Sequence, residues 1–136
     1  MADSSALRQR IIDGARRAVD RSATALVEDD LRPGAPFRTG ETRDKIDAVL
    51  GRGDPLHPSA TVRSPTPQGK WVNDGTPPHV ILPRFAKALR FSVGGRIVFA
   101  RSVNHPGTRP NPWFDRATAL WPDRLREQFQ RGAWDR

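Results

Sequence analysis

Leu89-Arg90-Phe91-Ser92-Val93-Gly94-Gly95-Arg96-Ile97-Val98-Phe99-Ala100 is the stretch on which the fold turns. Leu89, Phe91 and Val93 alternate with Arg90 and Ser92, the two-residue period of a strand. Gly94-Gly95 is a two-residue turn able to take positive φ at both positions, which a tight hairpin requires. Ile97 and Phe99 resume the same period. The spacing predicts a β-hairpin, with Val103 extending its return strand.

Toward the N-terminus, residues 5 to 29 read as one amphipathic helix. Leu7, Ile11, Ala15, Ala18, Ser22 and Leu26 recur at spacings of three and four and share a face. Arg8, Arg16, Arg17 and Arg21 fall mostly off that stripe. Ser4 or Ser5 is the expected cap. Pro33, Gly34 and Pro36 close the helical region. Thr39 is the expected cap of a short second element, with Glu41 favouring its positive end. Ile46, Val49 and Leu50 supply apolar contacts, but so short a run suits a helix end or a strand start equally. Residues 51–69 hold Pro55, Pro58, Pro65 and Pro67 with Gly51, Gly53 and Gly69. They are expected to form a long mobile loop around one strand, Ala60 to Arg63.

Toward the C-terminus, a proline-rich stretch at 106–112 leads into a second helix, with Pro112 in its first turn. Phe114, Ala117, Leu120 and Trp121 share a stripe. Pro122 lacks an N–H and should kink that helix or restart it. Leu125 and Phe129 carry the apolar face onward. Phe114 is expected in the core, while Trp113 suits core and interface alike. The tail, 132–136, has little to hold it unless Trp134 docks on a partner. These readings make one α+β domain over residues 1–136. A long N-terminal helix and a C-terminal helix pack on a small, mainly antiparallel sheet.

Composition narrows the function. The 136 residues suit a single core. There is no cysteine, which removes disulfides and thiolate metal sites. No apolar run approaches the roughly 18 residues of a membrane span, and MADSSALRQR lacks the apolar stretch of a secretory signal. The formal net charge is +8, carried almost wholly by arginine. A basic surface suggests a polyanionic neighbour such as DNA. Against that, the cations are spread along the chain instead of forming one stripe, and GC-rich coding also favours arginine.

No reactive constellation stands out. His57, His79 and His105 lie 22 and 26 residues apart with no carboxylate at ligand spacing, so no metal or other cofactor is expected. Asp74 is better read as a turn residue in Asn73-Asp74-Gly75 than as an acid–base partner of His79 or His105. Small basic α+β domains include RNA-cleaving proteins, and His105 with Arg109 can be cast in that role. A small nucleic-acid-binding or RNA-cleaving module is therefore the alternative reading.

Trp71-Val72-Asn73-Asp74-Gly75-Thr76-Pro77-Pro78-His79-Val80-Ile81-Leu82-Pro83 resembles a segment of a tail-component family of long-tailed phages, whose members are described as minor capsid, tail completion or neck proteins. Val103-Asn104-His105-Pro106-Gly107-Thr108-Arg109-Pro110-Asn111-Pro112-Trp113-Phe114 resembles the same family's "HPG" and "NPF" signature. The hairpin, and Thr39-Gly40 with Arg43 and Ile46, resemble its other two elements in the same order. Thr42, Lys45 and Trp71-Val72 depart from the usual pattern. The resemblance covers about Thr39 to Ala117. It implies a non-enzymatic subunit of a ring, with a hexamer expected, at the virion's head–tail junction, assembled in the bacterial host cytoplasm. Its partners would be head-closure or connector proteins and tail-terminator or tail-tube proteins, with genomic DNA passing through the lumen and no membrane.

The residues agree with such a role. Asp74-Gly75-Thr76-Pro77-Pro78 and His105 to Pro112 are stiff Pro/Gly stretches, and rigid loops lower the entropy cost of an interface. The expected subunit surface comprises Trp71, Asp74, Gly75, Thr76, His79, Pro83, His105, Pro106, Gly107, Arg109, Pro110, Asn111 and Trp113.

Overall fold

The computed structural model describes residues 3–131 and has the α+β architecture expected. It comprises a helical body and an arm that projects from it. Helix α1 spans Ser4–Ala25 and is capped by Asp3, whose carboxylate accepts from the Ser5 N–H at 2.9 Å. The cap therefore falls one residue before the expected serines. The helix does not stop near residue 29. It passes through a π-helical segment, Leu26–Leu31, in which the Arg32 N–H reaches back five residues to the Val27 carbonyl. A last turn, α2 (Arg32–Gly34), follows. The wider π turn brings Leu31 into line with Leu26 and Val27, and all three are buried. The expected stripe holds for Ala18, Ser22 and Leu26 but not for Leu7 and Ile11, which are exposed.

A short helix α3 (Glu41–Asp44) begins after Gly40, which takes φ +84°. Thr39 accepts from the Glu41 N–H only at 3.4 Å. Ile46 is buried, and the chain then runs as β1 (Asp47–Asp54) and β2 (His57–Arg63). This antiparallel pair, with Asp47 opposite Arg63, replaces most of the mobile loop expected at 51–69. Pro58, Ala60 and Val62 alternate with Ser59, Thr61 and Arg63 in burial, so the two-residue period is present beneath the prolines. The ribbon has only two strands, so Pro58 can turn its missing donor to the open edge. Asp54 ties the turn by accepting from the Leu56 and His57 N–H groups at 2.8 and 2.9 Å. Arg63 donates to Asp47 across the strands, holding that carboxyl below its ordinary pKa. The remainder of the supposed loop is helix α4 (Pro67–Asp74).

The C-terminal helix is split as Pro122 predicts, into α5 (Trp113–Thr118) and α6 (Trp121–Gln130). Residues 132–136, including Trp134, lie outside the described residues. The core gathers Leu26, Val27, Leu31, Ile46, Trp113 and Ala117, with Ala48, Val62, Val72, Phe114 and Trp121 against it. Of the two aromatics, Trp113, which suited core and interface alike, fills the core, and Phe114 packs against it as expected. Trp113 is only 4% exposed, and Phe114 is half-buried beside it with the rings at 86°. Trp113 also donates from Nε1 to the Gly69 carbonyl at 3.0 Å. Arg124 of α6 makes a bidentate pair with Asp30 at 2.8 Å and a further bond to Glu127 at 2.9 Å. These partners, Asp30 first, hold the guanidinium above its ordinary pKa.

The arm occupies residues 75–111. It begins as β3 (His79–Ile81) paired with β6 (Val103–His105), and ends as the hairpin β4 (Leu89–Val93) and β5 (Arg96–Ala100). The hairpin matches its sequence reading, with Val93 opposite Arg96 across Gly94-Gly95. Val103 does not extend β5. It pairs with Ile81 instead, so the single expected sheet is three separate two-stranded sheets.

Candidate functional site

The site is the root of the arm, where the two Pro/Gly segments of the sequence come together. Thr76 and Thr108 face one another, each N–H donating to the other's carbonyl at 3.1 Å, with their hydroxyls 3.0 Å apart. Two glycines make this approach possible. Gly75 takes φ +74° and Gly107 φ +84°. A Cβ on Gly75 would lie 2.7 Å from the Thr108 carbonyl oxygen, and one on Gly107 2.3 Å from that of Thr76. Each glycine thus clears the other strand's backbone at a left-handed position.

Asn73, at the end of α4, joins this root to the body. Its side-chain oxygen accepts from the Phe114 and Asp115 N–H groups at 3.0 and 3.2 Å, so it caps α5 from 41 residues away. Its amide donates to Asp74 at 2.9 Å and Asp115 at 3.1 Å. The Asn111 N–H donates to the Val72 carbonyl at 2.8 Å. Asn73-Asp74 is therefore a helix end and a remote cap, not the free turn expected. Among the described residues the Asp74 carboxylate accepts from Asn73, and neither His79 nor His105 bonds to it.

His79 and His105 are register partners on β3 and β6, and their rings stack at 4.9 Å with 27° between planes. His79 Nδ1 lies 2.8 Å from the Pro77 carbonyl, so it must carry the proton. His105 Nδ1 accepts from the Gly107 N–H at 3.0 Å, so its proton sits on Nε2 when neutral. The neighbouring rings thus hold opposite tautomers, each fixed by backbone.

These residues line one side of an open cleft of about 1180 Å³, whose other side is the 36–42 turn. Phe37, Trp71, His79, Ile81, His105 and Arg109 are on its wall. Trp71 is exposed on α4, and Phe37 is exposed with the Arg43 guanidinium 5.0 Å from its ring centre. Of the expected surface residues, Trp71, Thr76, His79, His105 and Arg109 meet at the cleft. Asp74, Pro106, Pro110 and Asn111 are exposed nearby, while Gly75, Gly107 and Pro83 are partly buried. Trp113 is a correction. It is sealed in the core and offers nothing to a neighbour. Two residues that shape the site were not anticipated, Phe37 and Asn73. Only Asn73 had a usable signal, its place two residues before a glycine that ends a helix.

Among the described residues no three His, Asp or Glu side chains gather as a metal site would, and no helix is long and apolar enough to cross a membrane. Comparison with family models, with curated proteins and with solved structures returns no match for this chain.

Proposed function

We infer that the chain is a non-enzymatic ring subunit of the joint between head and tail in a tailed phage. It would bind copies of itself, with a hexamer expected, and stack between connector and tail proteins in the virion. One observation carries the reading. The two segments that bear the family resemblance form a stiff ribbon root, and beyond it the arm leaves apolar side chains in water. Val80, Leu82, Val93, Ile97 and Phe99 are exposed, and Phe85 is fully so. So many large apolar side chains left exposed on one short arm, on both faces of its hairpin, mark a protein–protein contact. The outer arm and the open cleft at its root are two different surfaces, and a contact between unlike surfaces of successive copies is the heterologous geometry that closes into rings.

Light scattering on the purified chain tests this directly. A closed oligomer is expected, and Leu82→Asp with Phe85→Asp should return it to monomer without changing the melting temperature. A chain that stays single at high concentration, alone and with tail proteins, would falsify the reading.

The stacked histidines beside Arg109 give the second reading, an RNA-cleaving module, its specific support. Turnover of an RNA substrate that disappears in His105→Ala would replace the ring reading with that one.

A further inference from the structure

The positive charge of this protein is concentrated where its acids are missing. Between Asp74 and Asp115 there is no Asp or Glu, yet Arg84, Lys87, Arg90, Arg96, Arg101 and Arg109 all lie there. The arm therefore holds six of the eight net charges. Outside the arm the remaining 17 of the 23 Lys and Arg stand against all 15 acids, and several pair directly: Arg32 with Glu28, Lys45 with Glu41, Arg63 with Asp47 and Arg124 with Asp30. In the arm all six are exposed, and among the described residues no carboxylate pairs with any of them. The cations are spread along the chain, but the acids are not, and it is their absence from residues 75–114 that concentrates the charge.

Five of the six lie beyond the root, on or beside the hairpin. Arg96 adjoins the Gly94-Gly95 turn opposite Val93, and Arg90 sits opposite Phe99. Gly94 and Gly95 have open space around them. A two-stranded ribbon is narrow enough for the roughly 12 Å major groove of duplex DNA. Aliphatic side chains at such a tip, here Val93 and Ile97, can meet sugars and base edges while the cations meet phosphates.

We propose that the outer arm binds duplex DNA through its phosphate backbone, with little preference for sequence. A protein surface normally answers charge with both signs. Some forty residues without one carboxylate match a partner of a single sign along its length. The binding needs one chain only, so it stands or falls apart from ring assembly.

Fluorescence anisotropy of the full chain with a labelled 24-base-pair duplex, from 50 to 300 mM KCl, tests it. Five phosphate contacts give a slope of log K against log salt of about −4.5. Lys87→Gln/Arg90→Gln/Arg96→Gln should bring the slope to about −2 and weaken binding at 100 mM salt at least thirtyfold. Arg8→Gln/Arg10→Gln/Arg21→Gln, on α1, should leave both nearly unchanged, and a second duplex sequence should bind within about threefold. No binding at 50 mM salt, an unchanged slope in the arm variant, or an equal loss in the helix variant overturns the proposal. Tighter binding to polyglutamate of equal charge also overturns it, and assigns the arm to an acidic protein surface.

Discussion

Asn73→Ala is the most informative single change, because Asn73 links the arm's root to the core through one side chain. The residue is 8% exposed. Its oxygen serves two N–H groups at the start of α5, and its amide serves Asp74 and Asp115. Losing a helix cap costs about 1 kcal/mol. Leaving part-buried N–H groups without an acceptor adds about another 1 kcal/mol. The total is about 2 kcal/mol, or roughly 8 °C in Tm for a chain of this size. Asn73→Asp sharpens the point. It keeps the acceptor and suits the positive helix end, but it turns contacts of 2.9 and 3.1 Å with two carboxylates from attractive to repulsive. It should therefore cost at least as much as alanine. Both are read by thermal melts and urea titration with α5 followed by hydrogen exchange. If Asn73→Ala changes stability by less than about 0.5 kcal/mol, the size of an ordinary surface substitution, the remote cap is not holding α5 and the argument for a rigidly rooted arm fails.

Three further outcomes are expected. Gly107→Ala forces a Cβ against the Thr76 carbonyl at a left-handed φ costing about 1–2 kcal/mol, so amide exchange at Thr76 and Thr108 should quicken at least tenfold while α1 stays protected. Asp30→Asn leaves Arg124 with half of a bidentate ion pair whose acid is only 9% exposed; about 2 kcal/mol should be lost in urea titration. Trp113→Ala opens the core and drops the bond to Gly69; about 4 kcal/mol should be lost, so any failure of that variant to assemble reports unfolding, not a missing contact.

The parts of the fold legible in the sequence are those set by near neighbours. The β4–β5 hairpin follows from strict alternation and a Gly-Gly turn, and the break at Pro122 from a missing N–H. The β1–β2 ribbon was hidden because prolines and glycines signal loops, whereas a two-stranded ribbon tolerates them on open edges and at bulges. Its bulge, between Val49 and Arg52, also shifts the register that a period count depends on. The π-helical segment was invisible because Leu26 to Leu31 carries no local mark of a wider turn. At the site, the meeting of segments 71–83 and 104–113 was foreseen. What lay beyond reach was anything decided across the chain: Asn73 capping a helix 41 residues on, Phe37 facing the arm, and the choice between core and interface for Trp113.

The two sheets of the arm are joined unequally. Seven residues, 82–88, run outward from β3 to β4, and only Arg101 and Ser102 return from β5 to β6. Three peptide steps keep Ala100 and Val103 within about 11 Å, whereas the longer side can pay out more than twice that length. The short side is the tight tether and the long side the slack one, so any bending of the tip must hinge at Arg101-Ser102, about a root held close by Gly75 and Gly107. In the ring proposed above, such hinges would let the tips tilt together, like the ribs of an umbrella, while the bodies keep their places.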